Sequence, residues 1–221
     1  MPEANLSYQK IIDISQPVTQ KTACFPGDVP FSKQVTLSYA QSNVINLTAL
    51  TMSPHVGSHA DAPVHIKGDL DDPHCGVGDM PLAPFIGPCT VIDIAQTREP
   101  ISRARVGKKL EAAIKQAPRV LFKTLHKIDY DTWEDEYAYI ADDCATILGE
   151  LGFCLVGLDT PSVDHVKAKN LTAHHILDKG SLVWLENLDL TKVEEGLYQL
   201  IALPLKFMEL EASPLRAVLL K

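Results

Sequence analysis

Three histidines and one aspartate, His55, His59, Asp61 and His65, all fall on odd positions of the stretch His55-Val56-Gly57-Ser58-His59-Ala60-Asp61-Ala62-Pro63-Val64-His65. Imidazole nitrogens and a carboxylate gathered so closely are the donors that zinc, manganese or iron take. On a helix, at about 100° per residue, Asp61 would point well away from His55 and His59. On an extended segment, where side chains alternate with period two, all four share one face. Gly57 and Pro63 further disfavour a helix, through backbone entropy and a lost hydrogen bond. The spacing therefore predicts an extended segment with its ligands on one side. Val56, Ala60, Ala62, Val64 and Ile66 on the other side predict a buried apolar face. A lone histidine would be an ordinary surface or core residue. Four titratable groups facing away from an apolar layer need a polar cleft or a metal, because burying them unpaired is costly.

The elements that must position these residues are short. Strands are expected at Ile11–Ile14, Ile45–Met52, Thr90–Ile94, Val120–Thr124, Phe153–Leu158, Leu182–Leu185, Tyr198–Ala202 and Ala217–Leu220, where β-branched and aliphatic residues cluster between turn formers. Helices are expected at Val106–Gln116, with a stripe of Val106, Leu110, Ala113 and Ile114, and at Asp142–Leu151. Asp142 or Asp143 would cap the latter and Gly152 close it. A third short helix is expected near Leu171–Leu177, ending by Gly180. Strand–helix alternation from about 90 to 186 argues for α/β layering behind a more β-rich N-terminal third. With no repeat, linker or low-complexity tract, residues 1–221 read as a single domain, large enough for one sizeable core.

Composition narrows the function classes. A net charge of −8 leaves no electrostatic footprint for nucleic acid, and the run Arg103, Arg105, Lys108, Lys109 reads as a solvated helix start. No apolar run reaches membrane-spanning length, and the N-terminus carries no signal-peptide pattern. Five scattered cysteines, Cys24, Cys75, Cys89, Cys144 and Cys154, without a C-x-x-C pair suit reduced thiols in a cytoplasm. Only Cys75 has an adjacent histidine, His74, and no phosphate-type glycine loop accompanies any of the five, so thiol catalysis has little support. No G-x-S-x-G elbow is present.

One strand face supplies too few ligands for a closed constellation. The remainder is sought in Leu171-Thr172-Ala173-His174-His175-Ile176-Leu177 and Ser181–Asn187. His174 and His175 point about 100° apart on a helix, so only one of them faces the metal. Glu186 ends an apolar strand and is either a solvated strand end or an inward ligand. His74, His126 and His165 are isolated in loop-like contexts and read as surface residues. Asp159, Ser162 and Asp164 follow a strand, and serve either a site-lining loop or ordinary turn capping. Phe25 and Phe207 either wall an aromatic-binding site or pack in the core.

The pattern H-x-G-[ST]-H-x-D-x-P-x-H at 55–65 resembles the signature of the metal-dependent cyclase/amidohydrolase family that includes bacterial kynurenine formamidase. The resemblance extends over Ile12–Ser15 with Pro17, Pro26-Gly27-Asp28, Leu47–Pro54, Gly87-Pro88-Cys89, Gly157–Asp164, Leu200–Phe207 and Ala212–Ala217, most of the chain. It implies a mixed α/β fold with a partly barrel-like sheet flanked by helices. It also implies the metal ligands His55, His59, Asp61, His174 and Glu186, its twelve-residue His…Glu spacing selecting His174 over His175. His65 matches the family's general acid/base. Ser58 stands where relatives often have Thr or Ala. Phe25 stands where formamidases of the family tend to carry Trp, and would contact an aromatic substrate.

Five side-chain ligands exceed what one four-coordinate zinc needs. A two-metal site is therefore expected, and the resemblance implies zinc as the cofactor, two ions per subunit. The implied reaction is hydrolysis of N-formyl-L-kynurenine to L-kynurenine and formate in tryptophan degradation, by metal-activated hydroxide with His65 as acid/base. A sister amidase resembling isatin hydrolase, with manganese as metal, is the nearest rival. A non-catalytic zinc-binding protein is the other, and retention of His65 speaks against it. The resemblance also implies a homodimer. Neither nucleic acid nor membrane is an expected partner.

Overall fold

The structure, a computed structural model, describes residues 9–70, 76–94 and 96–221. His74 and Cys75 lie outside them. Eleven strands and four helices follow in the order β1 (Ile11–Asp13), β2 (Ser32–Leu37), α1 (Tyr39–Ser42), β3 (Leu47–Thr51), β4 (His59–Asp61), β5 (Ile86–Asp93), α2 (Arg103–Ala113), β6 (Arg119–Lys123), α3 (Asp142–Leu151), β7 (Leu155–Leu158), α4 (Thr172–Lys179), β8 (Val183–Glu186), β9 (Gly196–Ile201), β10 (Ala212–Pro214) and β11 (Val218–Leu220). Nine strands form one mixed sheet, ordered β1-β11-β9-β5-β6-β7-β8-β4-β10, and β2–β3 form a separate two-stranded arm.

The large sheet curls, as the partly barrel-like expectation requires. Ser15, beyond β1, bridges to Leu188, beyond β8, although those strands lie far apart in the sheet order. Side chains from both ends, Ile12 and Ile14 with Ala60, Leu185 and Leu188, share one enclosed core with Leu121 and Val91. Alternation along the central strands sends the other set outward. Val120 and Phe122, Val156 and Leu158, and Trp184 meet Val106 and Leu110 of α2, Leu148 of α3 and Leu177 of α4 in a second core. Period-two strands buried on both faces are what parallel β5-β6-β7-β8 pairing demands. Gly157 is small by necessity, since a Cβ there would stand 2.6 Å from Leu121 and 3.2 Å from Leu185.

Helix α3 matches its expected span, and Gly152 closes it at φ 85°. Its expected aspartate cap is corrected. Ala141 is the N-cap, Asp142 and Asp143 sit in the first turn, and the Asp143 carboxylate accepts from the Arg103 N–H at 3.1 Å, at the start of α2. Helix α2 accordingly begins at Arg103, three residues before the hydrophobic stripe suggested. Strand β5 starts earlier than expected, because Gly87, at φ 134°, and Pro88 lie inside it while resembling a turn. The Arg119 guanidinium occupies the room a Cβ at Gly87 would need, 2.8 Å away, and donates to the carbonyls of Ala83, Pro84 and Pro88.

Candidate metal centre and substrate cavity

The signature does not run as one extended segment. Only His59–Asp61 is strand, paired with β8 on one side and β10 on the other, with His59 opposite Glu186 and Pro214. Residue His55 sits on a turn, and His65 closes a short 3-10 turn, Pro63–His65, with Pro63 at its first position. Gly57, at φ 72°, makes the entry turn. These two turns bring the four side chains together where a straight strand would have spread them over about 30 Å. The apolar even positions behave as expected: Val56, Ala60, Ala62 and Val64 are buried.

Because Ala60 and Leu185 point into the curled core, His59, Asp61, Trp184 and Glu186 point to the helix-covered face. Asp61 lies at the centre. Its Oδ1 is 3.1 Å from His55 Nδ1 and 3.4 Å from His59 Nε2, and its Oδ2 is 3.6 Å from His174 Nε2. Glu186 closes the group, with Oε2 3.2 Å from His59 Nε2 and Oε1 3.6 Å from His174 Nε2. Donor atoms of His55, Asp61 and His65, and of His59, Asp61 and Glu186, form two sets each within 4.8 Å, sharing Asp61. All five residues expected as ligands thus converge, with His65 beside them, its ring centroid 4.7 Å from that of His55. Helix α4 buries Ala173, His174 and Leu177 and leaves His175 exposed, so of the two adjacent histidines His174 is the one that faces the cluster. His126 and His165 lie apart, near Asp93 and Glu136 respectively.

A shell of hydrogen bonds fixes the donors. His59 Nδ1 faces the Gly57 carbonyl at 2.9 Å, so it carries the proton and Nε2 keeps its lone pair. His174 Nδ1 likewise donates to Asp164 Oδ2 at 2.6 Å. Asp164 also accepts from the N–H groups of Ala173 and His174, capping α4, whose own N-cap, Leu171, is held at φ 43° with no side-chain cap. Glu186 Oε1 accepts from Val163 N–H at 2.7 Å, and Asp61 Oδ2 from the Trp184 indole at 2.9 Å. Asp159 instead anchors a loop, accepting from both N–H and hydroxyl of Thr124 and from Leu125 N–H; burial raises it to about 6. Two participants escape sequence reasoning. Trp184 looks like one more apolar residue of a strand, and only the β4–β8 register shows its N–H on Asp61. Glu211, whose Oε1 is 3.4 Å from His55 Nε2, comes from the turn before β10 and has no motif of its own.

The electrostatics call for a cation. Burial would lower His55, but the Asp61 and Glu211 carboxylates beside it outweigh burial and raise it to about 10. Burial is likewise overcome at His174 by Asp164 and Asp61, again to about 10. Burial would raise Asp61, yet His174 and His55 hold it well below the usual carboxylate range. His65 goes the other way, lowered chiefly by burial, and stays neutral at neutral pH. Despite this crowding, His59 Nε2 and Asp61 Oδ1 are buried without a hydrogen bond. Two orphaned lone-pair atoms, fixed by partners behind them, are what a metal site presents. The residues fit a divalent metal.

Above this floor opens a cavity of about 740 Å³, lined by His55, His65, Phe25, Trp133, Tyr137 and Leu171 among others. Phe25 therefore lies on the cavity as expected, half exposed and in edge contact with Trp133 at 5.2 Å. Phe207 is not among the lining residues.

Residues 12–165 match the family model for Cyclase, described as putative cyclase, and the chain belongs to that family. Its structural neighbours are metal-dependent hydrolases; isatin hydrolase A from Labrenzia aggregata superposes with a TM-score of 0.79 at 22% identity, covering 96% of this chain and 93% of that one, a likeness of fold. In sequence the chain is similar to kynurenine formamidase of Paracidovorax citrulli (strain AAC00-1), 42% identical over 208 residues and 94% of each chain. It is 38% identical over 211 residues to kynurenine formamidase of Bordetella petrii, covering 96% of this chain and 98% of the relative.

Proposed function

We propose that residues 1–221 act as one domain that hydrolyses the linear aryl amide N-formyl-L-kynurenine to L-kynurenine and formate, a step of tryptophan breakdown. The observation that carries this reading is the pair of buried, orphaned donor atoms at the floor of a cavity with an aromatic wall. Identity of 42% to a kynurenine formamidase supports the choice of substrate. His55, His59, Asp61, His174 and Glu186 hold the metal, taken to be two zinc ions, with Asp61 central to both donor sets. Bound there, divalent metal supplies Lewis acidity, lowering the pKa of water from 15.7 toward about 7 and polarising a carbonyl oxygen.

The chain's own groups do the rest. Neutral His65 takes a proton from the attacking water and returns it to the departing aniline nitrogen. Trp184, Val163 and Asp164 keep the carboxylates and His174 from turning away. Phe25 receives the aryl ring. The acting species is a homodimer in the cytoplasm. Its support is the β2–β3 arm, which exposes Val35, Leu47 and Leu50 and has no third strand among the described residues; two strands alone are marginal in water, and a second copy of the chain would cover them. Among the described residues no helix is long and apolar enough to cross a membrane.

The test follows loss of N-formyl-L-kynurenine absorbance and gain of kynurenine with purified protein before chelation, after it, and after zinc is returned. Activity lost and regained establishes reaction and metal together. A metallated, folded sample inactive on this substrate but active on a cyclic aryl amide would move the assignment to a sister amidase, and recovery with manganese alone would change the metal.

A further inference from the structure

Residues 124–141 join β6 to α3 across the cavity, and their start is pinned by the Asp159 carboxylate. Trp133, on this loop, presents its ring to the cavity. Its indole N–H donates to Asp135 Oδ1 at 2.8 Å, which fixes the ring plane. Phe25 meets it edge-on at an interplanar angle of 68°, and Tyr137 lies behind it at 6.4 Å. The Tyr137 hydroxyl in turn donates to the backbone carbonyl of Asp164, the residue whose carboxylate holds His174. The ring wall and the metal centre therefore share a support and stand in fixed register. A partly buried tryptophan, oriented by its own hydrogen bond and lining the cavity above the donor cluster, is poorly explained by packing alone.

We propose that Trp133 is a specificity-determining residue that forms, with Phe25, a two-sided aromatic seat for the ring of an aryl amide, so that aryl amides are selected over alkyl amides. The inference rests on the amidohydrolase reading above. It does not require that the aryl amide be N-formyl-L-kynurenine.

Ring contacts of this kind are lost, with an apolar side chain kept, in Trp133→Leu. The expected result is a KM for the aryl formamide raised about 3- to 10-fold, a distinctly larger loss than for an N-formyl alkylamine, with metal content unchanged. Trp133→Phe should restore most of the loss. Binding of the product L-kynurenine, measured by calorimetry on metal-loaded protein, should weaken by the same factor, a readout independent of turnover. If the wild type ignores N-formyl-L-kynurenine but cleaves another aryl amide, the substrate assignment fails, and the same comparison on that amide decides the role of Trp133. Equal losses on aryl and alkyl substrates, or unchanged aryl KM and product affinity, would overturn the inference.

Discussion

Replacing Trp184 by Phe removes one N–H from the metal centre while keeping an aromatic ring against His174. The indole donates to Asp61 Oδ2 at 2.9 Å, and both residues are buried, at 1% and 0% exposure, so no water replaces the donor. A hydrogen bond to a charged group contributes about 1.5–3 kcal/mol. The volume vacated by the smaller ring adds roughly 1 kcal/mol. Together these lower the melting temperature of metal-free protein by roughly 5–15 °C for a chain of this size. The edge contact with the His174 ring, 5.4 Å between centroids, is one that Phe can keep. Metal affinity is a separate quantity. Without the indole, Asp61 can rotate, and Oδ1 no longer faces His55 and His59 by default. Loss of an orienting partner of this type costs about 10–100-fold in affinity. Competition against a chromophoric chelator gives the affinity, and melting in excess chelator gives the stability. A variant that melts lower yet binds zinc with wild-type affinity would refute the idea that Trp184 orients Asp61 and leave it a packing residue.

Other perturbations separate the remaining roles. His65→Ala should retain its metal and lose about 10²–10⁴-fold in turnover if the side chain moves protons; loss of metal on elemental analysis would instead make it a ligand, as its place beside His55 and Asp61 permits. In metal-free protein His55 and His174 are raised from 6.5 to about 10, so their contribution to stability is full below about pH 6.5 and lost as pH rises toward 10, which melting curves in chelator should trace. The same protons compete with metal, so zinc binding should release them and zinc affinity should fall as pH is lowered from about 8 to about 6, while the number released from these two groups, both protonated throughout that window, stays constant. Gly57→Ala meets a left-handed φ of 72° and a Val18 methyl 2.7 Å from the new Cβ; a cost of about 1–2 kcal/mol and weakened zinc binding are expected from melting and competition assays.

The convergent donor cluster was legible because a motif of types and spacing survives even when the assumed conformation is wrong. A uniform strand predicted convergence for His55, His59, Asp61 and His65, whereas two turns deliver it. The buried strands β6, β7 and β8 and helix α3 were legible from apolar runs and the Gly152 stop. Strand β2 was not, since all but its last residue are exposed and no buried face imprints an alternation on Ser32–Leu37. Strand β10 hid behind Pro214, which an edge strand tolerates. Trp184, Glu211 and Trp133 were illegible for a different reason: each acquires its role from a neighbour across register or loop, a relation absent from local sequence.

The sheet order has a consequence for how the molecule comes into being. Strand β4 carries the signature early in the chain, yet both of its neighbours, β8 and β10, lie beyond residue 182. A growing chain exposes three histidines and an aspartate of this strand and its turns long before anything can pair with them. Contacts of such sequence separation form late and slowly. The centre is thus assembled only when the last third of the polypeptide inserts on either side of β4. Metal uptake by newly made protein would report completion of the whole sheet, and a chain stopped before β8 would hold the signature without the means to use it.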